Sequence, residues 1–121
     1  MPLHVKPFDG VIGAEVLDVD LAKPLEADEQ NTLRRAWSRH SVLVFRDQKV
    51  TPDQFLRYSR YFGDLETHVL EQYLHKEHPE ILIVSNVLEN GKNIGIPDAG
   101  RYWHTALSYL AVPSRGSSRY A

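Results

Sequence analysis

From residue 8 to residue 21, "FDGVIGAEVLDVDL", apolar side chains alternate with small or acidic ones. A period of two is that of a strand, and the two early glycines predict that it is bent or bulged, with Pro24 closing it. The period then changes. In "EADEQNTLRRAWSRH" Leu33, Ala36 and Trp37 recur at helical spacing, acids stand in the first turn, and Arg34, Arg35 and Arg39 follow toward the end. That order of charge complements a helix dipole and predicts a helix from about Ala27 to Arg39. "SVLVF", 41 to 45, is a short β-branched apolar run and predicts a buried strand.

The sharpest local pattern is "TPDQFLRYSRYFG". Thr51 is suited to the N-cap, Pro52 to the first helical position and Gln54 to the third position of a capping box. Phe55, Tyr58, Ser59 and Phe62 continue one face, and Gly63 suits the left-handed residue that ends a helix. A polar, histidine-containing stretch, 64 to 79, leads to "EILIVSNV", which predicts a strand. Asn90-Gly91 follows, the strongest short hairpin signal. No repeat, linker or low-complexity tract interrupts the chain, so a single domain over 1–121 is expected. The order of elements allows a doubly wound sheet. The hairpin and the missing glycine-rich phosphate loop favour a mainly antiparallel sheet with helices beside it, in the α+β class.

Composition narrows the function. The 121 residues carry 14 basic and 16 acidic side chains, a formal net charge of −2. They are mixed along the chain without a basic stripe, which argues against nucleic acid as a partner. No residue is cysteine, so disulfides, thiolate metal sites and cysteine nucleophiles are excluded. No apolar run approaches the ~20 residues of a membrane span and no signal peptide is visible, so a cytoplasmic location is expected.

His104, in "RYWHTALSYL", is the principal candidate for chemistry. On a strand, positions i and i+2 share a face, so a His-x-Asp pair can supply two legs of a facial iron triad. Here position i+2 is Ala106, which has no donor atom. His68, His75 and His78 form a second group, but without cysteine or a further ligand at usual spacing they read as a solvated loop. Asp18 and Asp20 read as surface acids. Ser41, Ser85 and Ser108 lack the context of a nucleophile elbow.

Taken together, "IGAEVLDVDLAKPL", "HSVLVFRDQKVTPDQFLRYSRYFGDLE", "HPEILIVSNVLENGKNIG" and "DAGRYWHTALSYLAVPSRGSSRYA" resemble the amino-terminal part of the TauD/TfdA family of Fe(II)- and 2-oxoglutarate-dependent dioxygenases. The resemblance implies part of a double-stranded β-helix, or jelly roll, with N-terminal helices packed beside it. It also implies Fe(II) and 2-oxoglutarate as cofactors, dioxygen as co-substrate, and hydroxylation of a small organic acid such as a sulfonate. The family motif Trp-His-Thr-Asp places His104 as the first iron ligand and Ala106 where the carboxylate ligand is expected. The distal histidine and the 2-oxoglutarate arginine of the family match nothing in these residues. Tyr73 and Asn86 fall where substrate-facing residues are found. An incomplete, inactive dioxygenase domain is therefore expected. The alternatives are a non-catalytic module that self-associates through strand edges, and halogenase-like His-x-Ala chemistry.

Overall fold

The fold is that of a computed structural model and is described for residues 3–67, 71–85, 87–97, 103, 111 and 115–121. The chain divides into two compact units, Met1–Asp64 and Leu65–Ala121.

The first unit contains a three-stranded sheet in the order β1-β2-β3, with two helices. β1, His4–Pro7, pairs antiparallel with β2, Ala14–Leu17, in the register His4↔Leu17 to Pro7↔Ala14. The expected continuous strand over 8–21 is therefore divided, and only its middle is strand. Residues 8–13 turn back instead, closed by the Phe8 N–H donating to the Gly13 carbonyl at 3.1 Å. Gly13 has φ +99°, and a Cβ there would lie 2.9 Å from the Phe8 ring, so the turn needs glycine on two counts. Alternation survives inside β2: Ala14 and Val16 are buried, while Glu15 faces the other way and meets Arg46 at 3.5 Å.

After β2 the chain bends at Asp18, φ 58°. Gln48 fastens this bend with its amide, accepting from the Leu21 N–H at 2.8 Å and donating to the Val19 carbonyl at 3.1 Å. The first helix, α1, runs Ala27–His40. Its N-cap is Glu26, in a capping box with Glu29 that the residue pattern did not single out. Leu33 and Ala36 are its buried positions. Ser41, at φ 69°, reverses the chain into β3, Leu43–Val44, which pairs parallel with β2. The sheet is thus mixed, and β3 is a half-buried edge rather than the buried strand expected over 41–45.

The second helix, α2, is Pro52–Arg60. Thr51 accepts from the Gln54 N–H at 3.3 Å and the Gln54 side chain accepts from the Thr51 N–H at 2.9 Å, the capping box read from the residues. Its other end differs from expectation. Tyr61, Phe62 and Gly63 donate to the carbonyls three residues back, and Gly63 has φ +152°, outside the left-handed helical region. Inward, α2 contributes Leu56 to a core of Ala14, Val16, Leu21, Leu33 and Ala36. Beside it, Trp37 and Tyr58 each meet Phe62 edge to face at 5.4 Å, and Phe45 meets Tyr58 at 5.2 Å. Such contacts fix ring angles and add roughly 0.5–1.5 kcal/mol each beyond burial.

The second unit holds a 3₁₀ turn, Glu71–Tyr73, and a hairpin of β4, Leu88–Glu89, with β5, Lys92–Asn93. Asn90 at φ 53° and Gly91 at φ 77° make the primed turn that the dipeptide predicted. The strand expected over 80–87 is reduced to single bridges, Leu74↔Leu82 antiparallel and Val84↔Ile96 parallel. Among the described residues no helix is long and apolar enough to cross a membrane.

Candidate functional site

The described part of the second unit is organised by residues 81–85. The Ile83 N–H donates to the Tyr73 carbonyl at 2.9 Å, and the His75 N–H donates to the Ile81 carbonyl at 2.8 Å. On the other side in sequence, the Ile96 N–H donates to the Ile83 carbonyl at 2.9 Å and the Ser85 N–H to the Ile96 carbonyl at 3.1 Å. Gly95 permits this approach: a Cβ there would lie 2.7 Å from the Ile83 carbonyl oxygen. Tyr73 is thereby fixed through its backbone, with a half-buried side chain.

Of the other site residues expected from the sequence, His104, Ala106 and Asn86 lie outside the described residues, as does His68. Trp103, next to His104, is fully exposed. His75 and His78 do come together, with ring centroids 5.1 Å apart. However, the Nδ1 of His75 accepts from the Glu77 N–H at 3.2 Å, so that nitrogen is already engaged. Among the described residues no three histidines, cysteines or carboxylates are grouped to hold a metal ion.

The donor set of the motif itself can be weighed by its chemistry. "WHTA" offers one imidazole and a methyl group. A facial site for Fe(II) needs three protein donors, and one neutral imidazole supplies neither that number nor the negative charge of a carboxylate. These residues alone do not fit the metal.

Two features of the first unit were not anticipated as chemically distinctive. Burial of the Tyr58 phenol among aromatic rings pushes its pKa well above the ordinary value. Arg34, Arg35, Ser38 and Arg39 of α1 line a shallow hollow of about 380 Å³. The arginine spacing is visible in the sequence, where it reads only as part of the charge order along the helix.

Comparison with known proteins gives these residues a lineage. Residues 4–119 match the family model described as taurine catabolism dioxygenase TauD, TfdA family. The chain is 35% identical over 111 residues to pentalenolactone F synthase of Streptomyces arenae, an alignment covering 88% of this chain and 37% of that protein. It is 30% identical over 128 aligned positions to the alpha-ketoglutarate-dependent 2,4-dichlorophenoxyacetate dioxygenase of Cupriavidus pinatubonensis, covering 97% of this chain and 44% of that protein. Among solved structures, a putative alpha-ketoglutarate-dependent taurine dioxygenase from Burkholderia xenovorans superposes with a TM-score of 0.63 at 34% identity, covering 72% of this chain and 31% of that one. The chain thus spans less than half the length of these relatives. With a family match over nearly all of its residues, it belongs to the TauD/TfdA dioxygenase family.

Proposed function

We propose that these 121 residues are the amino-terminal frame of an Fe(II)- and 2-oxoglutarate-dependent dioxygenase, contributing part of a jelly roll and one iron donor, His104. On this reading the first unit is the helix-bearing N-terminal part and the second carries the entry to the metal-binding strand. The observation that carries the reading is the motif "WHTA" within a family match over residues 4–119. It supplies the first ligand of the family and replaces the second by a methyl group.

The substrate class is a small organic acid. Relatives named for 2,4-dichlorophenoxyacetate and for (S)-phenoxypropionate support this, since both names denote carboxylates on an aromatic ether. Tyr73 is the described residue that we place on the substrate side, with Asn86 its expected neighbour. When bound in the family, iron would activate dioxygen as the oxidant, and 2-oxoglutarate would supply two electrons on conversion to succinate and carbon dioxide. A single imidazole does not retain them, so the 121-residue chain alone is inactive.

Succinate released from 2-oxoglutarate in the presence of Fe(II), ascorbate and oxygen tests this directly. The isolated chain is expected to release no more than free iron does. Turnover above that background, abolished by His104→Ala, would show that one histidine and Ala106 suffice and would overturn the reading.

A further inference from the structure

The arginines of α1 are gathered on one surface and, among the described residues, have no partners of opposite charge. Arg34, Arg35, Ser38 and Arg39 line a hollow of about 380 Å³, in a chain whose formal net charge is −2. Arg35 and Arg39 stand one helical turn apart, so their side chains share a face where like charges repel. Both are exposed, and neither forms an ion pair or hydrogen bond among the described residues. The acids of the helix, Asp28 and Glu29, occupy its first turn. At 1.5 Å of rise per residue, Arg35 lies about 10 Å from Asp28 along the axis, beyond contact.

The helix dipole does not account for the cluster. It favours cations within the last turn, where Arg39 and His40 stand. Arg34 and Arg35 lie more than a turn earlier, where that effect has faded. Arg34 also differs from its neighbours in being held. One terminal nitrogen donates to the Tyr61 carbonyl at 2.7 Å and the other to the Asn31 side chain. Both partners are neutral, so its charge is positioned but not cancelled. Ser38, three residues on from Arg35, sets a hydroxyl on the same exposed surface.

We infer that this face of α1 binds a small tetrahedral oxyanion of the phosphate or sulfate type. Arg35 and Arg39 grip it through their planar forks, Ser38 donates a hydroxyl bond, and Arg34 adds a fixed positive charge. A guanidinium matches two oxygens of such an anion, which a lysine ammonium does not. Three full positive charges outweigh the roughly half negative charge at the end of the helix. The site lies wholly in the first unit and does not depend on whether the chain is catalytic.

Amide NMR of the labelled 121-residue chain, titrated with inorganic phosphate, with chloride at matched ionic strength and with adenosine monophosphate, tests the assignment. Phosphate is expected to move the amides of residues 34–39 saturably, and chloride to leave them in place. The double variant R35A/R39A is expected to bind at least about tenfold more weakly, because two charge-assisted bonds are lost. Both positions are exposed, so its spectrum elsewhere stays that of the parent. R35K/R39K keeps the charge and is expected to lose affinity too. Tighter binding of the nucleotide would identify a phosphoryl group on a larger molecule, and equal or weaker binding would identify the free ion. Equal shifts in chloride, or unchanged phosphate binding by R35A/R39A, would overturn the assignment.

Discussion

Among single residues, Tyr58 gives the plainest link between packing and a measurable property. Its phenol is neutral when protonated, and burial favours that form, so the folded pKa is raised above the ordinary phenol value of about 10. Below pH 10 both folded and unfolded chains hold the proton, and the stabilisation is fully present. Above it the unfolded chain releases the proton first, so stability is lost as pH rises, by at most about 1.4 kcal/mol per unit for this group. Urea unfolding of the parent and of Tyr58→Phe between pH 8 and pH 11 checks it. The parent is expected to lose stability more steeply above pH 10, and identical slopes would show that the phenol is not protected. The aromatic periodicity of 55–62 pointed to this face. It could not show burial, because Phe45, which meets Tyr58, and Trp37, which meets Phe62, come from elsewhere in the chain.

Elements were legible where their signals are local. The Thr51 capping box and the Asn90-Gly91 turn each rest on residues within one turn of one another, and the charge order of α1 lies within a single helix. β1 and the bridges of 82–85 depend on partners elsewhere, and no local pattern gives a partner. The same limit applies to the candidate site: the motif around His104 was readable, whereas the backing of Tyr73 by Ile83 and of Ile83 by Ile96 was not. Gly95 shows what that backing requires. Gly95→Ala would force a methyl group within 2.7 Å of the Ile83 carbonyl oxygen, a backbone atom that cannot rotate aside. A cost of roughly 1–3 kcal/mol is expected, with faster hydrogen exchange at the amides of Ser85 and Ile96. Exchange at the parental rate would show that the two segments are not held together.

For the molecule as a whole, the distribution of burial matters more than the number of elements. Every fully buried apolar residue among those described lies between Ala14 and Leu56, in the first unit. In the second unit Val84, Val87 and Leu88 are 54–62% exposed. Residues 1–64 therefore carry their own core, and a chain of these residues alone is expected to fold. It should show helical circular dichroism and a cooperative urea transition reported by Trp37, whose ring lies against Phe62. At that size stability is marginal, and Leu33→Ala, costing about 2–5 kcal/mol, is expected to abolish the transition. A non-cooperative parent fragment would show that the first unit needs the rest of the chain.

The parallel pairing of β2 with β3 bears on the order in which this protein is made. Ala14 cannot find Leu43 until α1 has been synthesised between them, and the ring that completes the aromatic cluster, Phe62, follows soon after. Chains are translated from the N-terminus at about 5–20 residues per second, and domains generally fold as they emerge. The segment bearing His104 thus leaves the ribosome after every residue of the first unit's core has been made. A ribosome stalled after residue 100 would present a closed first unit, and only the later residues would remain for chaperones to bind.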